Sequence, residues 1–242
     1  MAKAFVGRRT ELDLLRKRFD RVSASSAAVA VTIKGRRQVG KSRLVQEFCD
    51  RSGAPYLFFA ATKGASPVEA MTAFHEALRD SPVTTRPELV PDGVSGGWPD
   101  AFRVLARVLP DTPSIVVLDE LPWLAEQDPI FDGALQTAWD RLLAGRPVLL
   151  LLLGSDLPMR DRLTAYDQPF FGRADAMTLG PLRAAETGEA LGLSGGDAID
   201  AQLISGGLPG ILRSWPDSLP PMAFLEAECA DPAAALFSVP ES

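Results

Sequence analysis

A glycine-rich pattern, Gly-x-x-x-x-Gly-Lys-Ser at residues 35–42, constrains the fold of this chain more than any other feature of its sequence. The pattern follows a β-branched apolar run at residues 28–34 and precedes a stretch whose apolar residues recur at helical spacing. A strand, a glycine turn and a helix in this order form a loop that wraps phosphate, because glycines let backbone N–H groups approach an anion at a helix N-terminus. The sequence therefore predicts an α/β fold with a phosphate-binding loop.

The positions of this loop have separate predicted tasks. The ammonium group of Lys41 is predicted to reach the β- and γ-phosphates of a nucleotide, and the Ser42 hydroxyl is predicted to bind Mg²⁺. The other residues predicted to surround the phosphates are Gly35, Arg36, Arg37, Gln38, Val39, Gly40 and Arg43.

Short apolar runs alternate with helical patterns over the first three quarters of the chain. The predicted strands are residues 28–34, 55–60, 114–118, 148–153 and 176–179. This alternation indicates a five-stranded parallel sheet covered by helices on both faces. Further predictions are a helix capped by Thr10, a long loop over residues 82–99 and a helix over residues 156–165. From Pro181 onward only helical patterns occur, so residues 1–180 are predicted to form the nucleotide-binding core and residues 181–242 a small helical lid.

An acidic pair, Asp119 and Glu120, follows the third predicted strand. Open parallel sheets bind ligands at the carboxyl ends of their strands, which is where this pair lies. We expect Asp119 to hold Mg²⁺ and Glu120 to orient or deprotonate an attacking water molecule. Proteins that bind GTP are excluded, because the chain lacks the glycine that they carry three residues after the acid.

The charge and composition exclude several other classes. The formal net charge of −6 disfavours a general electrostatic grip on nucleic acid. The two cysteines, Cys49 and Cys229, have no metal-ligand spacing, and the longest aliphatic run, residues 148–153, is much shorter than the roughly 20 residues that span a bilayer. A cytoplasmic location without a membrane partner is therefore predicted. His75, Cys49 and the four tryptophans are interpreted as packing residues.

Several motifs occur in a fixed order along nearly the whole chain. They are Phe5-Val6-Gly7-Arg8 with Glu11-Leu12, the 35–42 loop, Leu118 to Leu124, Leu153-Gly154-Ser155, Phe171-Gly172-Arg173, Leu179 to Leu182, and Gly206-Gly207-Leu208-Pro209. In this order they resemble the AAA+ class of ATPases and, within it, the prokaryotic STAND-like group called archaeal-type ATPases. The resemblance implies ATP or ADP as the nucleotide.

The resemblance also implies roles for residues outside the loop. Phe5, Val6 and Arg8 would line the adenine and ribose end of the site, and Ser155 would be a polar sensor near the γ-phosphate. Arg173 would be an arginine finger that reaches the nucleotide of a neighbouring subunit, which implies self-association; its alternative is a surface ion pair with Asp175 or another acid. Gly207 and Pro209 would form a turn that couples the lid to the nucleotide.

Members of the resembled family usually continue into winged-helix and nuclease-like domains, which this chain is expected to lack. Three functions stay open from the sequence. The first is an ATP-hydrolysing switch, the second a tight nucleotide-binding scaffold with negligible turnover, and the third a DNA-associated ATPase of the origin-recognition type. The sequence names no protein or DNA effector.

Overall fold

Five parallel strands form the central sheet in the computed structural model, which describes residues 4–93, 96–155, 170, 172–231, 234 and 236. The strands are β1 (Val29–Lys34), β2 (Tyr56–Ala60), β3 (Ser114–Asp119), β4 (Val148–Gly154) and β5 (Ala174–Thr178). Their order across the sheet is β2-β3-β4-β1-β5, and every pairing is parallel. The predicted five-stranded parallel sheet is confirmed, and the carboxyl ends of all five strands lie at one edge.

Helices connect and follow the strands. They are α1 (Arg9–Ser25), α2 (Lys41–Ser52), α3 (Pro67–Asp80), α4 (Gly97–Val108), α5 (Leu121–Gln127), α6 (Phe131–Ala138), α7 (Ala184–Leu191), α8 (Gly195–Ser205), α9 (Pro209–Ser214) and α10 (Pro221–Ala230). A 3₁₀ turn, Pro87–Leu89, and a single π-helical turn, Trp139–Leu143, complete the regular structure of the described residues.

Three local predictions differ from the structure. Thr10 is not a cap, because α1 already begins at Arg9. The helices α5 and α9 were not predicted, since each has a proline at its start that resembles a helix break. The first turn of a helix nevertheless tolerates proline, because the N–H groups of that turn have no partner within the helix. The loop predicted over residues 82–99 contains the 3₁₀ turn and ends where α4 begins. The helix predicted over residues 156–165 lies outside the described residues.

The chain divides into two compact units. The first comprises Met1–Leu12, Gly35–Glu47 and Leu179–Ser242, and we call it the loop–lid unit. The second, the sheet unit, comprises Asp13–Lys34 and Phe48–Thr178. The domain boundary expected after residue 180 stays a prediction.

The sheet unit is built around two central strands that are buried along their whole length. Every residue of β3 and β4 is buried, as expected for central strands of a parallel sheet with both faces covered. Beside the sheet, an aromatic cluster of edge-to-face and tilted rings joins α3, α4 and α6 through Phe74, Trp98, Phe102 and Phe131. Because the strand interiors are packed with apolar side chains, the polar groups suited to a functional site lie at the ends of the strands.

The loop–lid unit has a smaller apolar core of its own. Trp215 and Phe224 stack face to face with ring centroids 3.8 Å apart, and the Trp215 indole N–H donates to the Leu219 carbonyl at 3.0 Å. Leu182, Leu191, Leu208 and Leu212 are buried in the same cluster. In the part of the chain that the structure describes, no helix has the length and apolar character that a membrane crossing requires.

Candidate functional site

The phosphate loop begins directly after β1 and ends at the first residue of α2, Lys41. The Lys41 side chain is only 6% exposed, and its ammonium group donates to the carbonyl oxygens of Gly35 at 2.8 Å and Arg36 at 3.2 Å. Ser42, next in the helix, is exposed. The loop therefore encloses its own lysine, and the helix begins at Lys41, where the sequence predicts a helix N-terminus.

The two loop glycines meet their neighbours closely. A Cβ at Gly35 would lie 2.5 Å from the Leu179 carbonyl oxygen, and one at Gly40 would lie 3.6 Å from Pro209. Gly40 also has a φ of 96°, a conformation that side chains disfavour. The Gln38 side chain lies beside Gly210: a Cβ added at Gly210 would be 2.5 Å from the Gln38 Oε1. Thus Pro209 adjoins the phosphate loop.

The N-terminal segment contacts the same loop. The Phe5 ring lies 5.9 Å from the guanidinium carbon of Arg43, and Val6 is half-buried. Arg8 is 4% exposed, and its guanidinium donates to the Val39 carbonyl oxygen at 3.0 Å and pairs with Glu11 at 3.3 Å. The structure therefore places the Arg8 side chain against the loop backbone.

Sequence reasoning missed Glu186 in α7. Its Oε1 accepts the Arg8 backbone N–H at 2.6 Å, and its Oε2 accepts the Arg183 backbone N–H at 2.9 Å. The second bond is a local helix-start pattern that the sequence could have indicated. The first joins residues 178 positions apart, for which a single sequence holds no signal.

In the sheet unit, the acidic pair lies at the carboxyl edge. Asp119 is 3% exposed, and its Oδ1 accepts the Glu120 backbone N–H at 2.8 Å. Glu120 itself has a left-handed backbone with φ 54° and is the N-cap residue immediately before α5. Ser155 follows β4, the neighbour of β3, so it lies at the same edge and is half-buried. On its other side β4 pairs with β1, the strand that continues along the chain into the phosphate loop.

The donor chemistry at this edge fits Mg²⁺. Among the described residues, no group of three or more His, Cys, Asp or Glu side chains could hold a metal. Mg²⁺ does not require one, because it keeps several water molecules and uses one or two protein oxygens together with substrate phosphates. The Asp119 carboxylate of the sheet unit is a ligand of that kind, and so, considered by itself, is the Ser42 hydroxyl of the loop–lid unit.

Arg173 lies at the amino ends of the strands, opposite to the carboxyl edge, immediately before β5. Its guanidinium makes a two-bond pair with Asp140, with Nε to Oδ1 and NH2 to Oδ2 both at 2.9 Å. This hydrogen-bonded arginine lowers the pKa of the Asp140 carboxyl, and Asp140 raises the pKa of Arg173. The sequence-based alternative was an ion pair of Arg173 with Asp175 or another acid; Asp175 pairs with Arg18 and Arg21, and the other acid is Asp140.

The residues interpreted as packing residues are placed in the cores. Cys49 is 1% exposed, and burial raises the pKa of its thiol to about 12, so it is no nucleophile. His75 and three tryptophans, Trp98, Trp139 and Trp215, are buried, and Trp123 packs at the margin of the sheet-unit core.

Comparison with known proteins gives a family match. A sequence model described as the AAA ATPase domain matches residues 4–151. A search of curated proteins found no match to the chain.

Solved structures share the fold at low sequence identity. The Aeropyrum pernix ORC1 protein, solved in complex with DNA, aligns with a TM-score of 0.59 and 17% identity over 85% of this chain and 56% of its own. A Walker-type ATPase of Pyrococcus abyssi aligns with a TM-score of 0.56 and 20% identity over 86% and 65%, respectively. Cdc6p of Pyrobaculum aerophilum aligns with a TM-score of 0.59 and 14% identity over 89% and 60%. The chain thus spans less than two thirds of each of these proteins.

Proposed function

Because the chain belongs to the AAA ATPase domain family, we propose that it binds ATP or ADP with Mg²⁺ and hydrolyses ATP as a switch of the STAND type. The observation that carries the proposal is the phosphate loop, in which a buried Lys41 at the start of α2 is enclosed by the loop backbone. Burying an ammonium group is costly unless it is hydrogen-bonded and meets negative charge, and a nucleoside triphosphate is the anionic ligand that this loop pattern serves.

The proposal assigns each group one task. Lys41 binds the β- and γ-phosphate oxygens, and the backbone N–H groups of the loop bind the remaining phosphate oxygens. Ser42 and Asp119 would hold Mg²⁺, which, when bound, supplies positive charge that neutralises the phosphates. Phe5 and Val6 are assigned to the adenine and ribose end, and Gly207 and Pro209 to the turn that links the lid to the nucleotide.

Glu120 is assigned to the attacking water. Its carboxylate accepts a hydrogen bond from the water, orients it towards the γ-phosphate and takes up its proton as the bond to phosphorus forms. Ser155 is assigned to the same water or to a γ-phosphate oxygen. These assignments are supported by the position of both residues at the carboxyl edge of neighbouring strands.

Titration calorimetry with ATP, ADP and GTP tests the proposal. We expect the parent chain to bind the two adenine nucleotides, and Lys41→Ala to lose about 2 kcal/mol or more of binding free energy because a charge-assisted contact disappears. Lys17→Ala is the matched control, since Lys17 is exposed on α1 outside the loop. Equal ATP affinity in the parent and in Lys41→Ala would contradict the assignment.

A measurement of turnover distinguishes the ATP-hydrolysing switch from the tight nucleotide-binding scaffold. Steady-state phosphate release in the presence and absence of Mg²⁺ should show Mg²⁺-dependent hydrolysis by the parent chain. If the parent binds ATP tightly and releases no phosphate above background, the nucleotide-binding scaffold is the correct function.

The DNA-associated alternative has one observation in its favour, the structural similarity to origin-recognition proteins. The net charge of −6 opposes it, because binding to DNA phosphates relies on positive charge. A gel-shift experiment at low salt, where phosphate-driven binding is strongest, decides between them. A shifted band would support the alternative and its absence would exclude it for this chain.

A further inference from the structure

Arg8 contacts the phosphate loop through a backbone carbonyl group. Its guanidinium NH2 donates a buried hydrogen bond of 3.0 Å to the carbonyl oxygen of Val39, a residue whose side chain is fully buried. The other nitrogen of the fork pairs with Glu11 at 3.3 Å. Both described partners of the Arg8 side chain therefore belong to the protein backbone or to a neighbouring acid.

The Arg8 backbone is itself held by hydrogen bonds on both sides. Its backbone N–H donates to Glu186 at 2.6 Å, its carbonyl oxygen accepts the Leu12 N–H at 2.9 Å as α1 begins, and its φ is 59°. A Cβ at Gly7, the preceding residue, would lie 2.6 Å from the same Glu186 oxygen. A residue fixed on both sides of its backbone can hold another group in place.

The group that Arg8 holds is the peptide between Val39 and Gly40. In a trans peptide the carbonyl oxygen and the following N–H point in opposite directions. With the Val39 oxygen directed at Arg8, the Gly40 N–H is directed away from Arg8. Glycine at position 40 leaves this peptide free to turn over, because glycine adopts positive and negative φ with similar ease. A turned peptide would present an oxygen in place of an N–H.

We propose that Arg8 is a positioning residue that fixes the Val39–Gly40 peptide so that the Gly40 N–H faces the nucleotide phosphates. This inference rests on the proposed function, in which the loop binds a nucleotide. It departs from the role that the family resemblance implied for Arg8, a contact at the adenine and ribose end. The charged donor also polarises the peptide, which makes the Gly40 N–H a stronger donor to phosphate.

The two roles predict different ligand dependence. A residue that positions the phosphate loop affects every ligand with a phosphate chain by the same factor, whether or not the ligand carries a base. A residue that contacts adenine or ribose affects ATP and leaves inorganic tripolyphosphate unchanged. Affinities of ATP and tripolyphosphate, measured by displacement of a fluorescent ADP analogue, therefore distinguish them.

The test compares Arg8→Gln with Arg8→Lys, and uses Arg9→Gln as the matched control because Arg9 is the exposed neighbour. We expect Arg8→Gln to weaken ATP and tripolyphosphate equally, by about tenfold or more, as for a lost hydrogen bond to a charged group. Arg8→Lys, which keeps the charge, should restore part of the loss, and Arg9→Gln should match the parent. A loss confined to ATP, or no loss, would overturn the inference.

NMR spectroscopy can observe the Val39–Gly40 peptide directly. Val-Gly occurs only twice in the sequence, at Val6-Gly7 and Val39-Gly40, so a sample labelled with carbonyl-¹³C valine and ¹⁵N glycine gives two selected amide signals in the NMR spectrum. In Arg8→Gln and Arg8→Lys without nucleotide, the Gly40 signal should move or split, whereas Arg9→Gln should leave it in place. An unchanged Gly40 signal in both Arg8 variants would refute the positioning role, even if one variant is too unstable for binding work. ATP binding by the parent is a separate outcome that tests the proposed function alone.

Discussion

Glu120 adopts a left-handed backbone conformation, with φ 54° and ψ 41°, although it is neither glycine nor asparagine. Such a conformation costs a residue with a side chain roughly 1–2 kcal/mol. Strain of this kind persists where the surroundings impose it and concentrates at functional sites. The position of Glu120 directly after the buried Asp119, at the carboxyl edge of the sheet, is consistent with its proposed role.

Substitution of Glu120 by glutamine should separate binding from hydrolysis. The amide keeps the size of the side chain but cannot accept a proton, so we expect turnover to fall about 10² to 10⁴-fold while ATP affinity is retained. Phosphate release and calorimetry on the same protein measure both. Glu126→Gln, an exposed change on α5, the helix that follows Glu120, is the control and should leave both values unaltered. Parent-like turnover in Glu120→Gln would remove Glu120 from the mechanism.

The lowered pKa of His75 predicts how the free energy of unfolding changes in mild acid. Burial, assisted by the nearby positive charge of Arg79 and partly offset by the Gly93 backbone, lowers the pKa of His75. The unfolded chain then binds the proton more readily than the folded chain. The free energy of unfolding should therefore decrease as the pH falls below about 6.5, the ordinary histidine pKa, and stop doing so once the pH is below the folded pKa.

Urea denaturation at about pH 7.5 and about pH 5.5 brackets that ordinary pKa. Since His75 is the only histidine of the chain, His75→Phe should flatten most of the dependence in this range while preserving an aromatic ring in the core. If the same slope persists in His75→Phe, another group is responsible.

At the scale of elements, the turn between α8 and α9 connects two parts of the lid. Gly207 has a φ of 66°, its carbonyl oxygen accepts the Leu182 N–H at 2.9 Å, and a Cβ on it would collide with the Leu182 carbonyl oxygen. Gly206, with a φ of 60°, has no atom within 4 Å of the corresponding position. The two neighbouring glycines therefore share a left-handed backbone conformation but differ in the space available for a Cβ.

This difference makes a matched pair of variants. Gly206→Ala should cost roughly 1 kcal/mol of stability from backbone conformation alone, whereas Gly207→Ala should cost clearly more because the turn must also move away from Leu182. Thermal or urea unfolding measures both. Because the turn leads into Pro209 beside Gly40, we also expect Gly207→Ala to weaken ATP binding more than Gly206→Ala does. Equal effects of the two changes would contradict the steric argument.

At the scale of the whole molecule, Arg173 and the acidic pair occupy opposite edges of the sheet. The five residues of β5 separate these edges by about 17 Å, at 3.3–3.4 Å per residue. An arginine at the far edge suits a contact with a neighbouring subunit, in a head-to-tail arrangement. The pair with Asp140 would have to open for this role, which for a partly exposed ion pair costs about 1 kcal/mol.

If Arg173 acts in a neighbouring subunit, hydrolysis per subunit should rise with protein concentration. Arg173→Ala should abolish that rise, with a loss of up to about 10³ to 10⁵ in rate and nearly unchanged ATP affinity. Arg21→Ala, which removes another arginine of a surface ion pair, is the control. Turnover that is independent of concentration and insensitive to Arg173→Ala would show that the Asp140 pair is its whole role.

A mixture of two inactive variants tests the same point more directly. Glu120→Gln subunits keep Arg173, and Arg173→Ala subunits keep Glu120. Activity that appears only on mixing requires one subunit's arginine to complete the other's site. A mixture that stays as inactive as its components would contradict action between subunits.

The sequence by itself determined the features whose information is local. The phosphate loop, the strand that precedes it and the acidic pair after β3 could all be predicted, because apolar runs, glycine spacing and strand ends are properties of a few adjacent residues. The parallel sheet followed from the alternation of strands and helices. Helices α5 and α9 escaped prediction because their prolines have the same local signature as a break.

Only the tertiary structure decided which distant residues meet. Arg8 and Val39 are 31 positions apart, Arg173 and Asp140 are 33 apart, and Arg8 and Glu186 are 178 apart. The sequence suggested a surface ion pair of Arg173 with Asp175 or another acid and could not fix which. The side chain pairs with Asp140, since folding brings that carboxylate within reach of the guanidinium Nε and NH2 groups. Hydrogen bonds and ion pairs depend on distance in space, which the packing of the elements sets and the local sequence does not encode.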